Sequence, residues 1–228
     1  MITTLYIVRH CEARGNIDRI FHGHTDSDIS GKGAAQLERL AERFRDIHLD
    51  AVYASPLKRT RLTAEAVNRY HGLPLHIHPG LIEIHGGYME GRPWAEFPLT
   101  HPEDARRWNL EPWLFAPEGG EPMQAVYDRI WQAVGDIVTA EEGGAVAVAS
   151  HGCAIRNLLC RAKGWPIQRL GEVAWCDNTG VSILEFDGPD KCRVVLENDI
   201  SHLDEGLSTL AGQKWWRKEN LASLNFTE

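Results

Sequence analysis

No run in this sequence approaches the roughly 20 consecutive apolar residues that cross a bilayer, so no membrane span is expected. Cysteine is scarce. Cys11, Cys153, Cys160, Cys176 and Cys192 are odd in number, scattered and without a CxxC pair, which argues against a disulfide framework or a zinc ribbon. A surplus of basic charge is missing too: 24 Lys and Arg against 32 Asp and Glu give a formal net charge of −8. That is the wrong sign for a general nucleic-acid binder, which must present a basic face. There is no GxSxG, no Walker-type Gly-Lys-Ser/Thr, no GxGxxG, no internal repeat and no low-complexity tract. Met1-Ile2-Thr3-Thr4 has neither a basic region nor a small-residue cleavage site, so no secretory leader is visible. What remains is an ordinary globular composition, 43% hydrophobic and 25% charged over 228 residues. One domain over residues 1–228, cytoplasmic and with free thiols, is the expectation.

Short apolar runs alternate with helical patterns. Leu5-Tyr6-Ile7-Val8 reads as a buried strand ending in Arg9-His10. Ser30 is placed to cap a helix carrying Leu37, Leu40, Ala41 and Phe44 at helical spacing. Ala51 to Ala54 is a second strand, and Ser55-Pro56 reads as an N-cap with Pro at the first helical position, the helix ending by Gly72. A short strand over Leu75 to His78 follows. Residues 85–120, with five prolines and three tryptophans, predict an irregular insertion holding one short helix. A helix over Pro122 to Ala140, a strand over Ala145 to Ala149 and a helix to about Lys163 come next. Val181 to Phe186 and Cys192 to Glu197 flank Asp187-Gly188-Pro189-Asp190, a hairpin pattern for a sheet edge. The alternation predicts an α/β fold: a doubly wound, mostly parallel sheet with helices on both faces.

In such sheets ligands bind beyond the carboxyl ends of the strands. Two strands here end in histidine, at His10 and His151, and Arg59 falls in the first turn of the helix after a third. With Arg9 these make a basic cluster in an acidic chain, and phosphate suits a guanidinium fork and a helix N-terminus. The plainer readings are a solvated histidine at each strand end and a surface arginine. Spacing goes no further.

Arg9-His10-Cys11-Glu12 with Asn16, Ser55-Pro56-Leu57-Lys58-Arg59 with Thr63-Ala64-Glu65, Leu81-Ile82-Glu83 ahead of Glu90-Gly91, and Ser150-His151-Gly152 resemble, in order, the motifs of the histidine phosphatase superfamily, the phosphoglycerate mutase-like fold. His24-Thr25-Asp26 with Ser30-Gly31-Lys32-Gly33 resembles the stretch after its first motif. The resemblance runs from Leu5 to about Phe186. It implies that His10 is the nucleophile forming a phosphohistidine, that Glu83 is the general acid and base, and that Arg9, Asn16, Arg59 and His151 hold the phosphoryl oxygens. No metal and no cofactor are implied. Nearby cations would keep His10 neutral, as a nucleophile requires.

Two departures matter. Cys11 stands where the family commonly has Gly, and a buried, inert thiol is expected there. Glu83-Ile84-His85-Gly86-Gly87 stands where phosphoglycerate mutases carry Glu-Arg-His-Tyr-Gly, which favours a metal-independent phosphomonoesterase over phosphoglycerate mutase-type transfer. The expected partner is a small phosphorylated metabolite, and the edge hairpin leaves a homodimer open.

Rival readings are weaker. His22-Gly23-His24-Thr25-Asp26 echoes the HxHxD opening of metallohydrolases, and His76 and His78 add a pair, but Ser27 stands where that pattern wants another His. A cysteine-dependent phosphatase needs Arg six residues after its Cys, where this chain has Ile17, Leu159, Pro166, Ser182 and Asn198. A non-catalytic binding module is disfavoured by the presence of both histidines and Glu83. Trp94, Trp108, Trp113 and Phe115 either line a pocket over an apolar or sugar moiety or pack the insertion onto the sheet. Within the 200–228 tail, Trp215 and Trp216 either cover the site, dock a subunit or anchor the tail.

Overall fold

The computed structural model describes residues 1–213; Trp215 and Trp216 lie outside the described residues. Its framework is a six-stranded sheet. The strands are β1 (Ile2–Arg9), β2 (Ala51–Ala54), β3 (Leu75–Ile77), β4 (Ala145–Ser150), β5 (Val181–Asp187) and β6 (Cys192–Asp199), in spatial order β3-β2-β4-β1-β5-β6. β1 to β4 run parallel to one another, β5 runs antiparallel to β1, and β6 folds back on β5 as the edge of the predicted hairpin.

Period-two alternation explains why these apolar runs are buried on both faces. In β1, Leu5 and Ile7 join the core under helices α6 (Met123–Ala140) and α7 (Gly152–Ala162), while Val8 joins the core under α2 (Gly31–Phe44) and α3 (Lys58–Val67). β4 divides likewise: Val146 and Val148 face α6 and α7, Ala147 and Ala149 the other pair. The expected doubly wound sandwich is present.

Two local expectations need correction. The Ser30 cap forms, its Oγ accepting the Gly33 N–H at 2.9 Å. The Ser55 cap does not. α3 starts at Lys58 with Leu57 in the cap position, and its first N–H is met instead by the Asp26 carboxylate at 3.0 and 3.1 Å. Ser55 is occupied elsewhere, as described below. The insertion holds two helices rather than one, α4 (Phe97–Thr100) and α5 (Pro102–Leu110), together with 3-10 turns at 87–89, 94–96 and 112–114. Proline itself marks the second helix: Pro102 occupies the first helical position, where its missing N–H costs nothing. A four-residue helix, α1 (Arg14–Ile17), follows β1.

All five cysteines are free, and Cys192 alone is not fully buried. Burial pushes the Cys11 thiol up to about 11, so it is inert packing against the α2 side of the sheet. Among the described residues no helix is long and apolar enough to cross a membrane.

Candidate active site

β1 and β4 are paired in parallel through Arg9 and Ser150, so the residues that follow them emerge side by side. The rings of His10 and His151 consequently lie 5.3 Å apart, tilted 56°. Both are buried. β2 lies on the other side of β4, and the Ser55 N–H continues that pairing to Ala149 O at 3.1 Å. The chain then turns into α3, which carries Arg59 in its first turn.

Each side chain is held by partners from several loops. His10 donates its Nδ1–H to Cys11 O at 2.7 Å, so its lone pair is on Nε2. Its own carbonyl accepts from Asn178 Nδ2 at 2.8 Å, which anchors the backbone at that point. Burial, then Arg59 and Arg9, hold the imidazole well below its ordinary pKa. His151 Nε2 meets Ser55 Oγ at 2.7 Å, the contact that takes Ser55 away from capping. Arg9 donates Nη1–H to Cys176 O and passes close over Gly152, where a Cβ would come within 3.3 Å of Arg9 Nε. Burial lowers Arg59 to about 10, leaving it charged at neutral pH. Its Nη atoms donate to Thr25 O (2.9 Å), His22 O (2.9 Å) and Gly23 O (2.7 Å).

The Glu83 carboxylate sits at the start of α7. Oε1 accepts from Ala154 N and Oε2 from Cys153 N, each at 3.0 Å, and Oε1 also accepts from Ile84 N at 2.9 Å. A helix N-terminus, with its unpaired N–H groups, is a natural seat for a carboxylate. Asn16 accepts the Ala13 N–H on Oδ1 at 3.0 Å.

Arg9, His10, Asn16 and Glu83 line a cavity of about 610 Å³. Arg59 and His151 do not line it; they are fully buried behind the cavity wall. Four buried nitrogens in this cluster have no hydrogen-bond partner: Arg9 Nε, Arg59 Nε, His22 Nδ1 and His151 Nδ1. Buried polar atoms are rarely left so, and a concentration of them beside two guanidinium groups suits an oxyanion.

Sequence reasoning missed several members. His22, read as the first residue of a metal pattern, packs edge-on to His10 at 5.9 Å, and burial lowers its pKa to about 3. The neighbours of that pattern diverge: His24 donates Nε2–H to Glu83 O at 2.9 Å, and Asp26 caps α3. His76 stacks on Tyr53, and among the described residues no group of three or more His, Cys, Asp or Glu is arranged to hold a metal. Glu90 ties the site together. It accepts from the N–H groups of His24 and Thr25 (both 3.0 Å), the Thr25 hydroxyl (2.7 Å) and Gly86 N (2.8 Å), and so fixes the loop whose carbonyls grip Arg59. A Cβ on Gly23 would strike Glu90 Oε1 and Ile84 O. Arg129 does the same for the loop that carries Glu83, donating to Gly80 O, Ile82 O and Glu83 O at 2.7–3.0 Å. The buried Asp177 secures residues 208–210, accepting from Ser208 Oγ and from the N–H groups of Thr209 (3.0 Å) and Leu210 (3.2 Å). Thr209 and Leu210 in turn line the cavity.

The three neutral imidazoles set a pH dependence. His10, His22 and His151 all have pKa values lowered chiefly by burial, so unfolding below about pH 6.5 takes up protons the folded chain refuses. Their contribution to stability is complete above that pH and is lost as pH falls, at about 1.4 kcal/mol per pH unit for each imidazole. Urea unfolding at pH 7, 6 and 5 is expected to show ΔG decreasing with growing slope; a flat profile would mean that these rings protonate in the folded state.

The sequence matches the family model of the histidine phosphatase superfamily (branch 1) over residues 5–200. The chain belongs to that superfamily. Among curated relatives of this histidine phosphatase, phosphoserine phosphatase 1 of Hydrogenobacter thermophilus is 32% identical over 202 residues, 88% of this chain and 94% of the relative. Phosphoglycerate mutase-like protein 4 of Arabidopsis thaliana is 33% identical over 205 residues, 88% and 87% of the two chains. Among solved structures, Bacillus stearothermophilus YhfR superposes with a TM-score of 0.85 at 34% identity, covering 89% of this chain and all of its own. The mixed α/β architecture is thus that of the phosphoglycerate mutase-like histidine phosphatases, and the chain is a phosphatase-class enzyme by its relatives.

Proposed function

We propose that this histidine phosphatase is a metal-independent phosphomonoesterase that hydrolyses a small phosphorylated metabolite through a phosphohistidine on His10. The observation that carries the reading is the state of His10: neutral, its Nδ1–H committed to Cys11 O, and on the wall of the cavity. Nε2 is then the nucleophile. Its lone pair attacks phosphorus as the ester P–O bond breaks, and Glu83, entering this step as the carboxylic acid, gives its proton to the departing alkoxide and becomes the carboxylate that the α7 N–H groups hold. In the second half Glu83 takes a proton from water, the oxygen attacks phosphorus, and the P–N bond breaks to release phosphate.

The cluster supplies the charge this needs. Arg9 and Arg59 present unpartnered Nε–H groups, and Asn16 keeps its NH2 to donate because Oδ1 is tied to Ala13. With Ser55 O–H donating to Nε2, neutral His151 carries its proton on Nδ1, also unpartnered. The Arg9 guanidinium at the cavity wall, with the charged Arg59 buried behind it, offsets a phosphoryl dianion without a metal. Five free thiols fit the cytosol as its compartment.

Release of inorganic phosphate from a panel of monoesters tests the reading. Turnover is expected to persist in excess chelator and to be inhibited by vanadate, which adopts the five-coordinate geometry of phosphoryl transfer. Loss of activity in chelator, restored by a divalent metal, would overturn metal independence. The mutase-like relatives favour phosphoryl transfer between hydroxyls of one skeleton, and isomerisation without phosphate release would establish that instead.

A further inference from the structure

In the 610 Å³ cavity the polar groups Arg9, His10, Asn16 and Glu83 share the wall with a set of aromatic rings. Its lining includes Phe21, Trp94, Phe97, Trp108 and Trp175, with Leu210 from the strap held by Asp177. These rings form a connected set. Trp94 lies 5.0 Å from Phe21 and 5.2 Å from Trp108, and Trp108 stacks on Trp175 at 6.0 Å and 30°. Behind them Phe115 meets Trp108 edge-on at 4.9 Å, and Arg156 lies over the far ring, 4.2 Å from the Trp175 centroid. The wall is therefore already assembled and does not have to be ordered by the ligand.

Charge on the wall points the same way. Among the described residues, the side chains of fixed charge that line the cavity besides Arg9 and Glu83 are Asp18 and Arg19, which are adjacent and opposite in sign. A short hydroxy-acid phosphate carries a second anion, and this wall offers no net positive charge to receive it once the phosphoryl group has taken Arg9. A volume within the range of about 300–1,000 Å³ that holds drug-sized ligands would also leave a three-carbon alcohol mostly surrounded by water.

We propose that the substrate is a phosphomonoester whose alcohol carries a flat apolar body, an aryl or arylalkyl group, seated against Trp94 and Trp108, and that short polar alcohols are poor substrates. The proposal rests on the phosphomonoesterase reading above and specifies the leaving group. Trp94 and Trp108 are then specificity determinants: they act on the non-reacting part of the substrate and discriminate by burying its surface.

The test separates the two claims. Binding of 2-phenylethylphosphonate and ethylphosphonate, neither of which can be hydrolysed, is measured by calorimetry. Hydrolysis of 2-phenylethyl phosphate, ethyl phosphate and O-phosphoserine is followed alongside. The phenyl compounds are expected to be favoured about 10- to 100-fold in both Kd and kcat/KM, the scale of burying one phenyl ring. Trp94→Ala and Trp108→Ala should each cut that ratio at least threefold, while Trp108→Phe retains most of it. A ratio is unaffected by the fraction of folded protein, so partial unfolding of a variant does not confuse the result. Equal handling of phenyl and ethyl compounds, or preferred turnover of phosphoserine, overturns the proposal and leaves the phosphomonoesterase reading standing. A binding preference without any hydrolysis sustains the apolar site and sinks the phosphomonoesterase reading.

Discussion

Replacing His10 with alanine is expected to lower kcat at least about ten-thousand-fold, because it removes the proposed nucleophile. The expected companion result is chemical. Wild-type protein quenched during turnover should carry phosphate that is released by mild acid and stable to base, as nitrogen-bound phosphate is, and His10→Ala should carry none. His10 is packed against His151 and His22, so the substitution leaves a small void, and a melting curve on the same samples distinguishes lost chemistry from lost fold. Activity within tenfold of wild type in the folded variant would remove His10 from the mechanism. Transfer of the label to another residue would do so equally.

Glu83→Gln should have the second-largest effect, and its size should depend on the leaving group. Gln preserves the shape and keeps an oxygen to accept from the α7 N–H groups that now hold the carboxylate, but it cannot donate a proton to an alkoxide and take one back. Alkyl phosphates, whose leaving groups are poor, should slow by about 10²- to 10⁴-fold. p-Nitrophenyl phosphate needs little protonation of its leaving group, so its first step should slow far less. Equal slowing of the two substrates would mean that Glu83 supports the site only by its contacts with Cys153 and Ala154 and performs no acid catalysis.

Much of the fold was legible because its apolar runs are short, alternate with helices and stop abruptly in polar residues. His10 and His151 could be placed together from their positions at two strand ends, since adjacent parallel strands deliver their successors to one crevice. Arg59 was legible as a first-turn residue even though its helix begins two residues later than Ser55-Pro56 suggested. What escaped has a common cause. Glu90, Arg129, Asn178 and Asp177 act largely on main-chain groups of other loops; Glu90 stood in the resemblance without a role, and local spacing does not show that a carboxylate grips an N–H group 65 residues away. Capping of α3 by Asp26 belongs to the same class, because the local rule supposes a cap supplied by the preceding residue. The His22-to-Asp26 alternation, already set aside for want of a histidine at position 27, does not gather its residues at one point either. Period-two spacing puts side chains on one face of a strand, but this stretch is a loop, and its three residues part company.

The placement of β1 between β4 and β5 has a consequence for the birth of the enzyme. The strand that leads into His10 leaves the ribosome before both its neighbours, which belong to the last third of the described chain, at 145–150 and 181–187. His10 therefore waits, unshielded, until those strands have been made. Contacts so far apart in sequence slow the search for the native state and lengthen the interval in which unpaired strand edges are vulnerable to aggregation. A nascent chain halted before β5 would hold His10 at the end of a strand still open along one edge.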